Sequence, residues 1–222
     1  MQIIDNTLIG DALLKGYYRF EDNSNATIVG PNGTPTDMAY GAGKYAKAAQ
    51  FNGTSSQINL GATVNLGSKS WSIVWWAKRT NTTGDCTIIG QGDAATLQQV
   101  VITSLSGNTK LSIRFFDSAS DFDSAAGVYP ADSAYHQYVV TFNNSDKVCK
   151  IYKDGAFVEQ KTMGNNPTID ADDDLTIGAI RNQNFNKYDI DDLGVFFKVL
   201  SVDEISSLYM ESSNGVLAMG RL

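Results

Sequence analysis

One stretch of this chain places apolar residues at helical spacing, and it is short. In Ser201-Val202-Asp203-Glu204-Ile205-Ser206-Ser207-Leu208-Tyr209, the residues Ile205, Leu208 and Tyr209 fall at i, i+3 and i+4. Ser201 can cap the first turn, and Glu204 three residues later completes a capping box. What precedes it reads as short β-runs punctuated by turns. The run 71–78 (Trp-Ser-Ile-Val-Trp-Trp-Ala-Lys) is the most apolar strand. Leu111-Ser112-Ile113-Arg114-Phe115 alternates apolar with polar, as a half-buried strand does. The runs 135–142 and 147–152 are separated by Asn143-Asn144-Ser145-Asp146, which predicts a hairpin. Asp154-Gly155 predicts a second tight turn, because this pair tolerates positive φ. Further strands are expected near 14–20, 57–60, 87–90, 98–102, 175–178 and 188–197, with polar loops at 21–35 and 120–132. The pattern is all-β.

At 222 residues the chain fits one large β domain, with a core over about 14–209 and terminal arms at 1–11 and 212–222. The arms mix Gly or Asn with a few apolar residues such as Ile3, Leu8, Val216 and Leu222. They are expected either to fray or to order on assembly. The formal net charge of -7 repels phosphate backbones, so nucleic acid is not an expected partner, while cations are favoured. No apolar run approaches the ~18 residues of a membrane span, so no membrane insertion is expected. Met1-Gln2-Ile3-Ile4-Asp5-Asn6 has neither a basic nor an extended apolar segment, so synthesis in the cytoplasm without a signal peptide is expected. Cys86 and Cys149 lie in apolar strand-like runs, either as buried free thiols or as one bridge between neighbouring strands.

Several motifs recur in a fixed order. Gly16-Tyr17-Tyr18-Arg19-Phe20-Glu21 opens the core, and Ala49-Gln50-Phe51-Asn52-Gly53 follows with Gln57-Ile58-Asn59-Leu60. The run 71–78 comes next, then 135–142 and Ile151-Tyr152-Lys153-Asp154-Gly155. The chain closes on Leu175-Thr176-Ile177-Gly178, Ile190-Asp191-Asp192-Leu193 and Leu200-Ser201-Val202-Asp203-Glu204-Ile205. In this order they resemble the laminin-G-like, concanavalin A-like lectin/glucanase jelly rolls, with Tyr135 where that family usually has Trp. The resemblance runs from about residue 14 to 209. It implies a two-sheet antiparallel jelly-roll sandwich with one short C-terminal helical turn, and a binding surface on edge loops or a sheet face.

The acids gather in two clusters, Asp170, Asp172, Asp173 and Asp174, then Asp189, Asp191 and Asp192. Oxygen ligands at this density suit Ca2+, while Asp beside a strand also caps turns. The resemblance implies one structural Ca2+ between the loop after the first strand and the acidic closing strand. Asp22, Asn25, Asp191 and Asp192 are the ligands expected on that footing. Strand alternation sets Asp189 and Asp191 on one face and Ile190 and Asp192 on the other. One acid must then face inward or lie at an edge, where it needs a partner.

Catalysis finds little footing. The four Glu residues, Glu21, Glu159, Glu204 and Glu211, do not form the Glu-x-Asp-x-x-Glu spacing of the laminarinase-like relatives. The single histidine, His136, sits inside a strand motif, and no Gly-x-Ser-x-Gly elbow is present. A non-enzyme is expected. For ligand contact, Trp71, Ile73 and Trp75 share a face that reads as core, which leaves Trp76 on the other. Tyr129, Phe185 and Tyr188 lie in polar stretches, where binding residues concentrate. With Arg181 and Asn184 they form the expected ligand surface, since sugar rings stack on aromatic faces.

The expected function is a non-catalytic recognition or adhesion module for glycan or protein surfaces. Its expected setting is a phage virion, as a capsid decoration or a tail-associated adhesin. The alternative is a purely structural assembly subunit that oligomerises through edge strands and apolar arms. A polysaccharide hydrolase or lyase stands third.

Overall fold

A computed structural model describes residues 11–213 apart from 81, 82, 94, 96, 106 and 108. The expected arms at 1–11 and 212–222 lie almost wholly outside the described residues. Along the chain run β1 (Leu14–Tyr18), β2 (Thr34–Thr36), β3 (Ala39–Ala42), β4 (Lys47–Gln50), β5 (Gln57–Asn59), β6 (Trp71–Lys78), β7 (Cys86–Gly92) and β8 (Gln99–Ser104). There follow β9 (Leu111–Arg114), β10 (Asp121–Asp123), β11 (Tyr135–Phe142), β12 (Val148–Lys153), β13 (Ala156–Thr162), β14 (Leu175–Ile177), β15 (Asp189–Phe196) and α1 (Val202–Ser213). The strands form two antiparallel sheets. One has the order β13-β12-β11-β6-β15-β4-β3, with β1 also paired to β15; the other has the order β10-β9-β8-β7-β14-β5-β2.

The core between the sheets follows from period two. Trp71, Ile73 and Trp75 of β6 point into it and meet the inward rings of β11. Trp71 lies 5.7 Å from Phe142, and Trp75 stacks 5.6 Å from Tyr138. The opposite face of β6 is also covered. Val74, with Tyr17, Val139, Tyr152 and Phe196, forms a second cluster beneath Ile205 and Leu208 of α1. Burying each of those two helix residues contributes roughly 1.5–3 kcal/mol. Trp76 is outward, as alternation requires, yet it is buried. Tyr209 stacks on it at 5.9 Å, Tyr45 meets it edge-on, and the Lys44 ammonium stands 4.5 Å from its ring.

The capping box forms as expected. Glu204 N–H donates to Ser201 Oγ (3.2 Å) and Ser201 N–H donates to Glu204 Oε2 (2.7 Å). The hairpin of β11 and β12 and the tight turn at Asp154-Gly155 also form, with φ of 51° and 76° at those two residues. Cys86 and Cys149 are buried free thiols.

β15 departs from simple alternation. Its register against β6 shifts between Asp191 and Gly194, and Asp192 has φ of 44°. This bulge turns two consecutive carboxylates toward the outer face, while Ile190 and Leu193 on either side stay in the inter-sheet core. The expectation that Asp192 shares the face of Ile190 is therefore corrected. Neither acid enters the core between the sheets.

Candidate functional site

The outer face of the seven-stranded sheet carries a continuous cross-strand row: Asp121, Arg114, Val101, Gly90, Thr176, Asn59 and Thr34. The chain after β14 lies over the middle of this face. Gly178 N–H donates to Ile88 O (2.9 Å) and Thr87 N–H donates to Asn184 O (2.8 Å), so the segment 178–184 prolongs the pairing along β7. Ile180 packs directly on Gly90. A Cβ at position 90 would stand 2.7 Å from Ile180 Cβ and 2.8 Å from Ala179 O, so this close approach requires glycine.

Beside that segment lies an open cleft of about 180 Å3. Its floor is Gln57, Asn59 and Thr176, outward neighbours of the core residues Ile58 and Ile177. Asp93, Asp173 and Asp174 line it where β14 begins, and Arg181 and Asn182 where the 178–184 segment turns. Asn59 Nδ2 donates to Asp174 Oδ2 (2.6 Å) and Gln57 Nε2 donates to Asn182 Oδ1 (2.5 Å). Gln57 Oε1 is enclosed with no hydrogen-bond partner among the described residues. The lining is almost wholly amide, hydroxyl, carboxylate and guanidinium, which is chemistry for hydroxyl-rich ligands.

Of the expected ligand residues, Arg181 lines the cleft, Asn184 is exposed and Phe185 is half-buried on the same segment. Tyr129 and Tyr188 are not surface residues; their exposures are 0% and 1%. Both rings instead hold the buried Arg79. Its guanidinium lies 5.5 Å from the Tyr129 ring and 5.2 Å from the Tyr188 ring, and its Nη1 donates to Tyr129 O (2.6 Å). Burial pushes both phenols up. Polar sequence neighbours suggested exposed loops, but each aromatic turns inward onto a cation. Sequence reasoning passed over Gln57, Asn59, Asp93 and Thr176. The available signal was alternation, since Gln57 and Asn59 flank an inward Ile58.

A second polar centre lies at the β15 bulge. Asp191 is fully buried beneath the 43–46 turn and accepts N–H from Tyr45 (3.0 Å) and Asp192 (2.9 Å). Tyr17 Oη donates to Asp192 Oδ1 (2.9 Å). Burial, then the charges of Asp192 and Glu21, push the Asp191 carboxyl up to about 8. No described Lys or Arg forms an ion pair with Asp191. This is an environment short of positive charge, and hard oxygen donors suit Ca2+. Two of the four expected ligands stand elsewhere in their contacts. Asp22 is exposed and grips Lys47 Nζ (2.5 and 2.6 Å), and the backbone N–H of exposed Asn25 donates to Asn23 Oδ1 (2.9 Å). Among the described residues no three Asp, Glu, His or Cys side chains converge as a metal-holding group. A cation at Asp191 and Asp192 therefore needs backbone carbonyls to complete its shell.

The acids of β15 do not form an exposed pair. Asp189 bonds Lys78 (2.6 Å), and Asp191 is enclosed. His136 sits between Asp154 (2.7 Å to Nδ1) and Asp132 (3.0 Å to Nε2), an arrangement that ties the β12–β13 turn to the loop before β11.

A family model described as the concanavalin A-like lectin/glucanases superfamily matches residues 52–206. No curated protein matches the chain in sequence. Among solved structures, domain 4 of AbnA, a GH43 extracellular arabinanase from Geobacillus stearothermophilus, in complex with arabinotriose, superposes with a TM-score of 0.71 at 20% identity, covering 87% of this chain and 96% of that one. The binding domain of Paraclostridial Mosquitocidal Protein 1 superposes with a TM-score of 0.67 at 18% identity, covering 88% of this chain and 51% of that one. The binding domain of botulinum neurotoxin DC in complex with rat synaptotagmin II superposes with a TM-score of 0.66 at 15% identity, covering 90% and 52%. The chain thus spans about half the length of these toxin domains. At such identities the likeness is one of fold.

Proposed function

The chain belongs to the concanavalin A-like lectin/glucanases superfamily, and on that footing we propose that it is a non-catalytic recognition module that binds glycan in the cleft on its seven-stranded sheet. One observation carries this reading: a solvent-open cleft with a floor of outward amides and a hydroxyl, supported from below by a rigid aromatic core. Preformed polar groups on strands are placed more precisely than groups on free loops. Arg181 and Asn182 form one end, and Asn184 and Phe185 extend the surface along the same segment. The arabinotriose complex of the AbnA domain and the synaptotagmin complex of the toxin domain support glycan and protein surfaces as the partner classes. The engagement of Asp189 and the burial of Asp191 support a binding role over hydrolysis. A phage capsid decoration or tail adhesin remains the finer reading, supported by the sequence pattern alone.

Titration of a neutral oligosaccharide panel, beginning with arabinotriose, tests it. Asn182→Ala, Arg181→Ala and Phe185→Ala are each expected to weaken binding by about 2- to 12-fold, as loss of one contact of ~0.5–1.5 kcal/mol gives. Asn182→Ala is also expected to lower the melting temperature, because Asn182 holds a φ of 55° and accepts from Gln57. Unchanged affinity in all three variants would remove the cleft as the site. Release of new reducing ends would make the module catalytic.

We also propose a structural Ca2+ that Asp191 and Asp192 would hold, with backbone carbonyls to complete its shell; Asp22 would join only by releasing Lys47. Its support is the enclosed Asp191 carboxyl, with which no described Lys or Arg forms an ion pair. A melting temperature that is the same with Ca2+ and with chelator would count against it.

A further inference from the structure

Resting on the reading of the cleft as a glycan site, we infer that it selects amine-bearing oligosaccharides and turns away acidic ones. Three carboxylates, those of Asp93, Asp173 and Asp174, stand at one end, where β7 has ended and β14 begins. No described Lys or Arg forms an ion pair with any of them. Their hydrogen-bond donors are neutral: Asn59 Nδ2 to Asp174 (2.6 Å) and Asp170 N–H to Asp173 (3.1 Å). Burial pushes the Asp173 carboxyl up and the charge of Asp93 adds to that, so positive charge arriving here relieves repulsion already present.

The other end has the opposite character. Arg181 is exposed with no acid paired to it among the described residues, and Asn182 stands against Gln57. Gln57 and Asn59 are two residues apart on one face of β5, which separates the two ends by about 7 Å. A sugar ring lying over this interval meets amides and a guanidinium through its hydroxyls on one side. An ammonium substituent on its other side meets three negative charges. An N-acetyl group in that place brings no charge to offset them. A uronic or sialic carboxylate brings a like charge, in a chain whose net charge is already -7. The carboxylates are partly or fully open to solvent, so the preference is moderate and salt screens it.

Fully deacetylated and fully acetylated chito-oligosaccharides of one length differ at the amine alone and make the direct comparison. Calorimetric titration of both, with arabinotriose as the uncharged control and a hexuronate oligomer as the acidic one, is done at low and at about 0.5 M salt. The deacetylated oligomer is expected to bind about five- to tenfold more tightly than the acetylated one at low salt, with the preference collapsing at high salt. The Asp93→Asn, Asp173→Asn double variant keeps Asp174, which Asn59 bonds, and is expected to cut the ratio of deacetylated to acetylated affinity at least about twofold at low salt; the ratio is the readout because both residues line the cleft. Equal or tighter binding of the acetylated or hexuronate oligomer overturns the inference and leaves the cleft reading intact. So does a ratio unchanged in the double variant, since the preference would then belong to the diffuse acidic surface and not to these carboxylates. Binding of no oligosaccharide at all overturns the cleft reading, and the inference with it.

Discussion

Asp191 sets burial against charge. Its carboxyl is enclosed and pushed up to about 8, against an ordinary value of 3.8. Between about pH 4 and pH 8 the folded chain therefore holds a proton that the unfolded chain has released. The sign follows: in chelator, stability is expected to fall as pH rises through that window and to level off above it. Saturating Ca2+ is expected to flatten this dependence, because a bound cation replaces the proton. Melting temperatures across pH, with and without chelator, check both statements; a flat chelator profile would mean that Asp191 is neutralised by other means. Gly90 makes a second claim at this scale. Gly90→Ala is expected to cost about 1–3 kcal/mol and to weaken oligosaccharide binding together, because the new Cβ must displace Ile180 and with it the cleft wall.

At the scale of elements, α1 is fastened at its start and its end covers a tryptophan. Ser201→Ala is expected to cost about 1 kcal/mol in denaturant unfolding, the usual loss for an N-cap. Lys198 bonds Glu204 (2.7 Å) and Asp11 (2.5 Å), and these bonds hold both carboxyls below their ordinary values despite the burial that opposes them at Glu204. The stability they add is present above the unfolded carboxylate range and is lost as pH falls through the folded one. Tyr209→Ala is expected to shift tryptophan emission to the red, since Trp76 loses its stacked cover while Trp71 and Trp75 stay in the core. Unshifted emission would mean that Tyr45 and Lys44 suffice as cover. The elements that packing defines were legible in the sequence: β6 and β11 by apolar content, the hairpins by their turn residues, α1 by its capping box. β2 and β10 were not. They lie within stretches that read as polar loops, because three-residue edge strands carry few inward residues and little alternation. The β15 bulge was hidden too, since nothing in Ile190-Asp191-Asp192-Leu193 distinguishes two outward acids from an alternating pair. Arg181 and Phe185 became candidates from the composition of their segment, whereas Gln57 and Asn59 did so only once the sheet placed them beneath it.

For the whole molecule, the two outer faces of the sandwich differ in how they are covered. The outer face of the eight-stranded sheet is largely occupied, by α1 over β6 and β11 and by the 43–46 turn over Asp191. The outer face of the seven-stranded sheet keeps an open polar cleft, walled by a segment that extends its own hydrogen-bonding. Recognition through that face is the central claim. Backbone amide shifts followed by NMR while arabinotriose, then the rest of the neutral panel, is titrated in would test it most directly. The account predicts saturable shifts concentrated at residues 57–59, 173–176 and 180–185, with the amides around Trp76 and α1 unmoved. Shifts centred on the eight-stranded face, or none with any member of the panel, would contradict it.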